Sequence, residues 1–197
     1  MRKIVWWLGS DCYLLVNTPP GDKLWQIKLI FYRLKWKFLI KFFDIHWVVD
    51  EYLTQYLLKF GVKKEKIQIK EDKVLYDKPL KKIKHIGFNV LYYMPRKKGF
   101  PGGRKRIEWT YGYDIYKKIK KKLWPKIDFI EVYGEEDMNR IYPIVDLYIR
   151  PTRSDGRPRM IDECKISKIP YIFSRDGNPD SEEFINEINA YYESRFR

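Results

Sequence analysis

The chain has 197 residues, with 40 Lys and Arg set against 26 Asp and Glu for a net charge of +14. That length suits one or two small domains, and the charge favours anionic partners without choosing among a sugar nucleotide, a phospholipid surface and nucleic acid. Two cysteines, Cys12 and Cys164, exclude a disulfide-stapled scaffold and suit a reducing, cytoplasmic interior.

In chain order, residues 3–8 form an apolar strand run broken by Gly9-Ser10-Asp11. No small-x-small cleavage site follows the short apolar run, so the expectation is a cytoplasmic protein. Residues 24–43 read as one long helix, apolar, aromatic and basic at once. Its Lys and Arg residues interrupt it too often for a membrane span. Two uses stay open: a core helix, or a face resting on an anionic membrane with lysines toward the headgroups. Residues 46–69 read as a strand, a helix ended by Gly61, and a second strand after a Lys-rich turn.

Residues 87–95 predict a strand, followed by a basic, Gly-rich loop over 96–106 that holds Arg96, Lys98, Arg104 and Arg106. A helix over 113–123, a strand over 127–133, a helix over 136–145 and a strand over 146–150 come next. Alternation of this kind argues α/β with a parallel sheet. Pro151 ends the strand, residues 152–157 supply turn chemistry, and Pro158 stands where the first helical residue is expected. The helix runs to about residue 167, with Met160, Ile161 and Cys164 on its buried stripe. A strand over 170–173 and a closing helix over 181–195 complete the chain.

In a parallel sheet the helix after residue 157 aims its free N–H groups at the crevice above the strand ends, where phosphate is favoured. Glu163 then lies roughly 7 to 8 Å along that helix, at about 1.5 Å per residue, a gap that fits a ribose. Asp155 stands before the helix, placed for hydroxyls on the other side of a diphosphate. Two bland alternatives remain beside this: a solvated helix acid, and an ordinary Asp-Gly cap.

Asp155, seven residues and then Glu163 resemble the signature of retaining GT-B glycosyltransferases of the family 4 type, an acid, seven residues and Glu. The segment RPTRSDGRPRMIDECKISKIPYI is similar to that family's turn, helix and Pro-led strand. It departs from the pattern at Cys164 and Lys165, where small residues are usual, and at Lys168 and Ile169, where Gly precedes the proline. Further upstream, "WWLGSD" resembles the end of a central strand in the acceptor domain. Relatives carry a cleft-lining His there, and here Ser10 and Asp11 are the polar groups.

The resemblance implies a GT-B-like protein with a shortened acceptor-side lobe over 1–75, a Rossmann-like donor domain over 76–180 and a closing helix over 181–197. It implies a metal-independent, retaining transfer from a nucleotide sugar to an acceptor whose identity stays open. Glu163 would hold the ribose and Asp155 the sugar. Gly156, Arg157, Pro158 and Arg159 would hold the diphosphate, the loop cations the leaving charge, and Asp11 an acceptor hydroxyl. No cofactor and no metal ligand set is expected; His46 and His85 are not spaced as one. The short first lobe implies a partner subunit or a second copy to cover its sheet. Other readings are a basic nucleic-acid-binding protein and a donor-binding module without catalysis.

Overall fold

The computed structural model describes residues 2–70, 80–96, 103–134, 137–155, 158–174, 177 and 179–196. The chain divides into two compact units, Met1–Lys73 with Ser154–Arg157, and Val74–Arg153 with Pro158–Arg197.

The first unit contains β1 (Ile4–Trp7), α1 (Ser10–Val16), α2 (Lys23–Leu39), β2 (Ile45–Val48), α3 (Thr54–Lys59) and β3 (Ile67–Ile69). Its sheet is parallel, in the order β1-β2-β3. Trp7, Cys12, Leu15, Ile40, Val48, Leu53 and Leu57 are among the residues of its core. Beneath them, Trp7 donates its indole N–H to His46 Nδ1 at 3.2 Å, so two polar aromatic groups are buried together. The Gly9-Ser10-Asp11 break after β1 leads straight into α1, which begins at Ser10. Asp22 caps α2, its side chain accepting from Trp25 N at 2.7 Å. Arg33 ties α2 to the end of α1 by donating to Leu14 O at 2.9 Å and to the Asn17 carbonyl, two of the groups a helix C-terminus leaves open.

The second unit contains β4 (Asn89–Met94), α4 (Gly103–Thr110), α5 (Tyr113–Leu123), β5 (Asp128–Tyr133), α6 (Met138–Ile141), β6 (Leu147–Pro151), α7 (Arg159–Ile166), β7 (Tyr171–Ser174) and α8 (Ser181–Phe196). All four strands are parallel, in the order β5-β4-β6-β7. The period-2 alternation of a strand assigns its two faces. Val90, Tyr92 and Met94 pack with Ile115, Tyr116 and Ile119 of α5 and with Phe184 and Ile188 of α8. Leu91 packs instead with Tyr142, Val145, Ile161 and Cys164, so helices cover both faces. α8 therefore belongs to this core.

Three local readings are corrected. The basic stretch expected to be a loop through residue 106 is helical from Gly103, so Arg104 and Arg106 stand on α4. The helix expected over 136–145 is four residues of α6 followed by a 3-10 turn, Tyr142–Ile144, in which Pro143 has no N–H to continue an α pattern. Pro158 is the N-cap of α7, with extended backbone (φ −73°, ψ 110°), and the helix begins one residue later.

Candidate functional site

β6 ends at Pro151, and the chain enters α7 at the C-terminal edge of the second sheet. In open parallel sheets this edge is where ligands bind. Glu163 sits half-buried on α7 between the buried Ile161 and Cys164. The Tyr142 hydroxyl donates to its Oε2. Burial first, and then this bond to a carboxylate, push the tyrosine's ionisation well above its ordinary range, so it stays a donor. One oxygen is thus oriented by the protein, and the other, Oε1, makes no hydrogen bond among the described residues. The adjacent Cys164 thiol is pushed up to about 12, chiefly by burial and next by the Glu163 charge, which keeps it protonated and unreactive.

Arg159 opens α7 and is exposed; Pro158 is buried beneath the helix start. Asp155 is half-buried in the connection from β6. Gly156, Arg157 and Lys98 lie outside the described residues. Arg96 is exposed just past β4, and its Nε donates to Tyr133 O at 3.3 Å, which puts a cation at the C-terminal ends of β4 and β5. The other two basic candidates are used differently. Arg104 pairs with Glu108 one helical turn away at 2.5 Å, and Arg106 is 3% exposed within α4.

Asp11 is engaged by its own turn. Its carboxylate accepts from Leu8 N at 3.1 Å, Gly9 N at 2.8 Å and Cys12 N at 2.9 Å, which closes the start of α1. That is the arrangement of a helix-start acid, in which the polar capacity goes to the backbone.

Two residues at the end of β6 carry no signal in the sequence. Arg150 is buried, donates to Tyr148 Oη at 2.8 Å and lies over the Tyr111 ring, with 5.1 Å from Cζ to the centroid. Arg153 holds Asp114 with two bonds of 2.8 and 2.7 Å and donates to Trp109 O at 3.0 Å. Its backbone N–H also reaches Thr110 O at 2.9 Å, so this arginine fastens the α4–α5 junction to the end of β6. The junction is tight. Gly112 caps α5 at φ 61°, and a Cβ there would lie 1.8 Å from the Pro151 carbonyl oxygen, so only glycine fits.

Comparison with solved structures identifies the arrangement of strands and helices. A lipopolysaccharide outer core galactosyltransferase, WaaB, matches with a TM-score of 0.54 at 12% identity, over 80% of this chain and 55% of its own. A point mutant of S. aureus TarM, in complex with fondaparinux, alpha-GlcNAc-glycerol and UDP, matches with a TM-score of 0.60 at 13% identity, over 98% and 44%. The chain has a GT-B fold. A glycosyltransferase from Rickettsia africae ESF-5 matches with a TM-score of 0.56 at 11% identity, over 96% and 60%. The GT-B chain described here thus spans about half the length of these neighbours. No family model and no curated protein matches it.

Proposed function

We propose that this chain transfers a sugar from a nucleotide-sugar donor to an acceptor, without metal and with retention at the anomeric carbon. The observation that carries the reading is Glu163. On α7, the helix after the third strand of the second unit, it keeps one oxygen fixed by Tyr142 and the other open to accept from ribose hydroxyls. TarM, one of the structural neighbours, was crystallised with UDP and alpha-GlcNAc-glycerol, which supports a nucleotide donor and a hydroxyl acceptor here.

In this reading the start of α7 and Arg159 hold the diphosphate, with Arg96 at the neighbouring strand ends, and Asp155 orients the sugar. Fixed N–H dipoles and cations act where leaving charge develops. The acceptor oxygen bonds to the anomeric carbon as the carbon–oxygen bond to the diphosphate breaks, and the acceptor proton passes to the leaving phosphate oxygen on the same face. Arg104 instead pairs with Glu108 along α4.

A second reading, compatible with the first, concerns where the acceptor resides. On α2, Leu24, Ile27, Phe31, Leu34 and Phe38 are all exposed at helical spacing, with exposed Lys28, Lys35 and Lys41 nearby. This pattern suits an anionic membrane surface. No helix among the described residues is long and apolar enough to cross a membrane.

The test of the donor assignment is a thermal-shift series with nucleoside diphosphates. A ligand at 100 times its Kd adds about 2.7 kcal/mol to the folded state. Glu163→Ala should weaken binding by about 10- to 150-fold, the equivalent of about 1.5–3 kcal/mol for a charge-assisted bond. Tyr142→Phe serves as the control for folding, since it removes the orienting bond and keeps the carboxylate; it should cost affinity less. Undiminished binding in Glu163→Ala would sink the assignment.

A further inference from the structure

A cavity of about 430 Å³ lies within the second unit, at the sheet edge opposite the start of α7. Its floor includes Phe88, Asp146 and Pro170, the residues that immediately precede β4, β6 and β7. It is therefore separate from the strand ends assigned to the donor. Its volume falls in the range of small-molecule sites.

Among the described residues, the charges around it do not balance. Asp146 supplies one carboxylate, and this is already used: Oδ1 faces the Arg195 guanidinium and His85 Nε2 at 3.3 Å, while Oδ2 accepts from Asn89 N at 2.8 Å. Lys82 donates to the Val145 carbonyl. Its ammonium is pulled below the ordinary range, first by burial and then by the like charge of Arg195. The side chains of Lys84 and Lys168 line the same cavity and are engaged by no hydrogen bond or ion pair among the described residues. Among the described residues, four cations thus share this cavity with a single carboxylate.

Lys168 adds an independent observation. Ile169 N donates to Cys164 O at 2.8 Å and Lys168 N to Lys165 O at 3.2 Å, a Schellman ending for α7 with Lys168 at its left-handed position, φ 54°. Glycine is favoured there because an L side chain is strained. The chain keeps a lysine at that position, and the lysine lines the cavity.

We propose that this cavity binds a small organic phosphate, its phosphate among Lys84, Lys168, Lys82 and Arg195 and its organic part against Phe88, Pro170 and Tyr191. A phosphomonoester carries about −1.5 to −2 charge and three acceptor oxygens, enough to offset most of the surplus of cations, where a carboxylate offers one charge and two oxygens. The apolar wall is what an organic ester uses and inorganic phosphate does not.

The experiment is calorimetric titration of the full chain with phenyl phosphate and, in parallel, inorganic phosphate. Saturable one-to-one binding is expected, several-fold tighter for phenyl phosphate. Lys84→Ala and Lys168→Gly should each weaken it by about three- to tenfold. Lys168→Gly should also raise the thermal midpoint by relieving the left-handed strain, so stability and affinity move in opposite directions. Unchanged affinity in the more stable Lys168→Gly protein would overturn the site, and equal affinity for the two probes would overturn its organic component. Lys168→Gly should leave the nucleoside-diphosphate shift intact and Glu163→Ala should leave phenyl phosphate binding intact, which separates this site from the donor assignment. Loss of phenyl phosphate binding in Glu163→Ala would overturn it too.

Discussion

The Arg153 side chain is 9% exposed, and a guanidinium that far from water needs partners for its N–H groups. Asp114 supplies two of them from a carboxylate that is itself 54% exposed. The Arg153 bonds hold the Asp114 carboxyl below its ordinary range. The stabilising effect is therefore present above the unfolded carboxylate pKa of about 3.9 and fades as pH falls through the depressed folded value. Asp114→Asn should lose about 1–2 kcal/mol at pH 7, a figure reduced from that of a fully buried pair because the acid faces solvent. Urea melts of both proteins between pH 7 and pH 2 should converge at the acid end. A gap that persists at pH 2 would mean that the contribution is packing. None of this is legible in the sequence, since Asp114 and Arg153 are 39 residues apart and each reads as an ordinary surface charge. The same holds for Tyr142 and Glu163, 21 apart: spacing singles out the acid and says nothing of the hydroxyl that orients it. Asp11 shows the reverse, a residue whose carboxylate finds all its partners within three positions, at the Gly-Ser-Asp break that the sequence already marks.

Among the elements, α7 and its flanking strands follow the sequence within a residue or so, because proline at both ends and an apolar stripe between leave few alternatives. α4 is hidden by its composition, glycines and basic residues within RKKGFPGGRKR preceding only one buried aliphatic, Ile107. α2 is legible as a helix, but periodicity does not say which of its two apolar faces is covered. Leu29 is buried, with Tyr32 and Trp36 packed against the core, while Phe31 and Phe38 are 67% and 63% exposed. Exposure of that much aromatic surface is costly in water and favourable at a lipid interface, at about 1.5–3 kcal/mol for each fully buried Phe. Sedimentation with anionic phospholipid vesicles should carry the chain down at low salt, and neutral vesicles should carry less. Phe31→Glu with Phe38→Glu should reduce the bound fraction at least tenfold, by roughly the loss of both rings' burial. Equal binding by the double variant would refute membrane docking, and concentration-dependent self-association without vesicle binding would assign the face to a second copy.

For the whole molecule, the alternation of strands and helices is legible as α/β, whereas the placement of β4 between β5 and β6 is not, since it depends on pairings between residues 39 to 57 positions apart. The net charge of +14 is legible as a preference for anions and silent about where they go. In the fold, cations gather at two opposite edges of one sheet, Arg96 and Arg159 at one and Lys84 and Lys168 at the other.

Cys12 and Cys164 are both fully buried, one in the core of each unit. Burial raises the ionisation of both thiols, with help from Asp11 for Cys12 and from Glu163 for Cys164, so a thiol reagent reacts only when a unit opens and the ordinary pKa of about 8.5 is restored. Each capture rate is thus a local clock, reading the opening equilibrium of the unit that holds that cysteine. With a nucleoside diphosphate at 100 times its Kd, alkylation of Cys164 should slow by about 100-fold. Mass spectrometry of labelled peptides would resolve the two sites. If Cys12 keeps its rate, the units breathe independently; if it slows by the same factor, one ligand secures the entire chain.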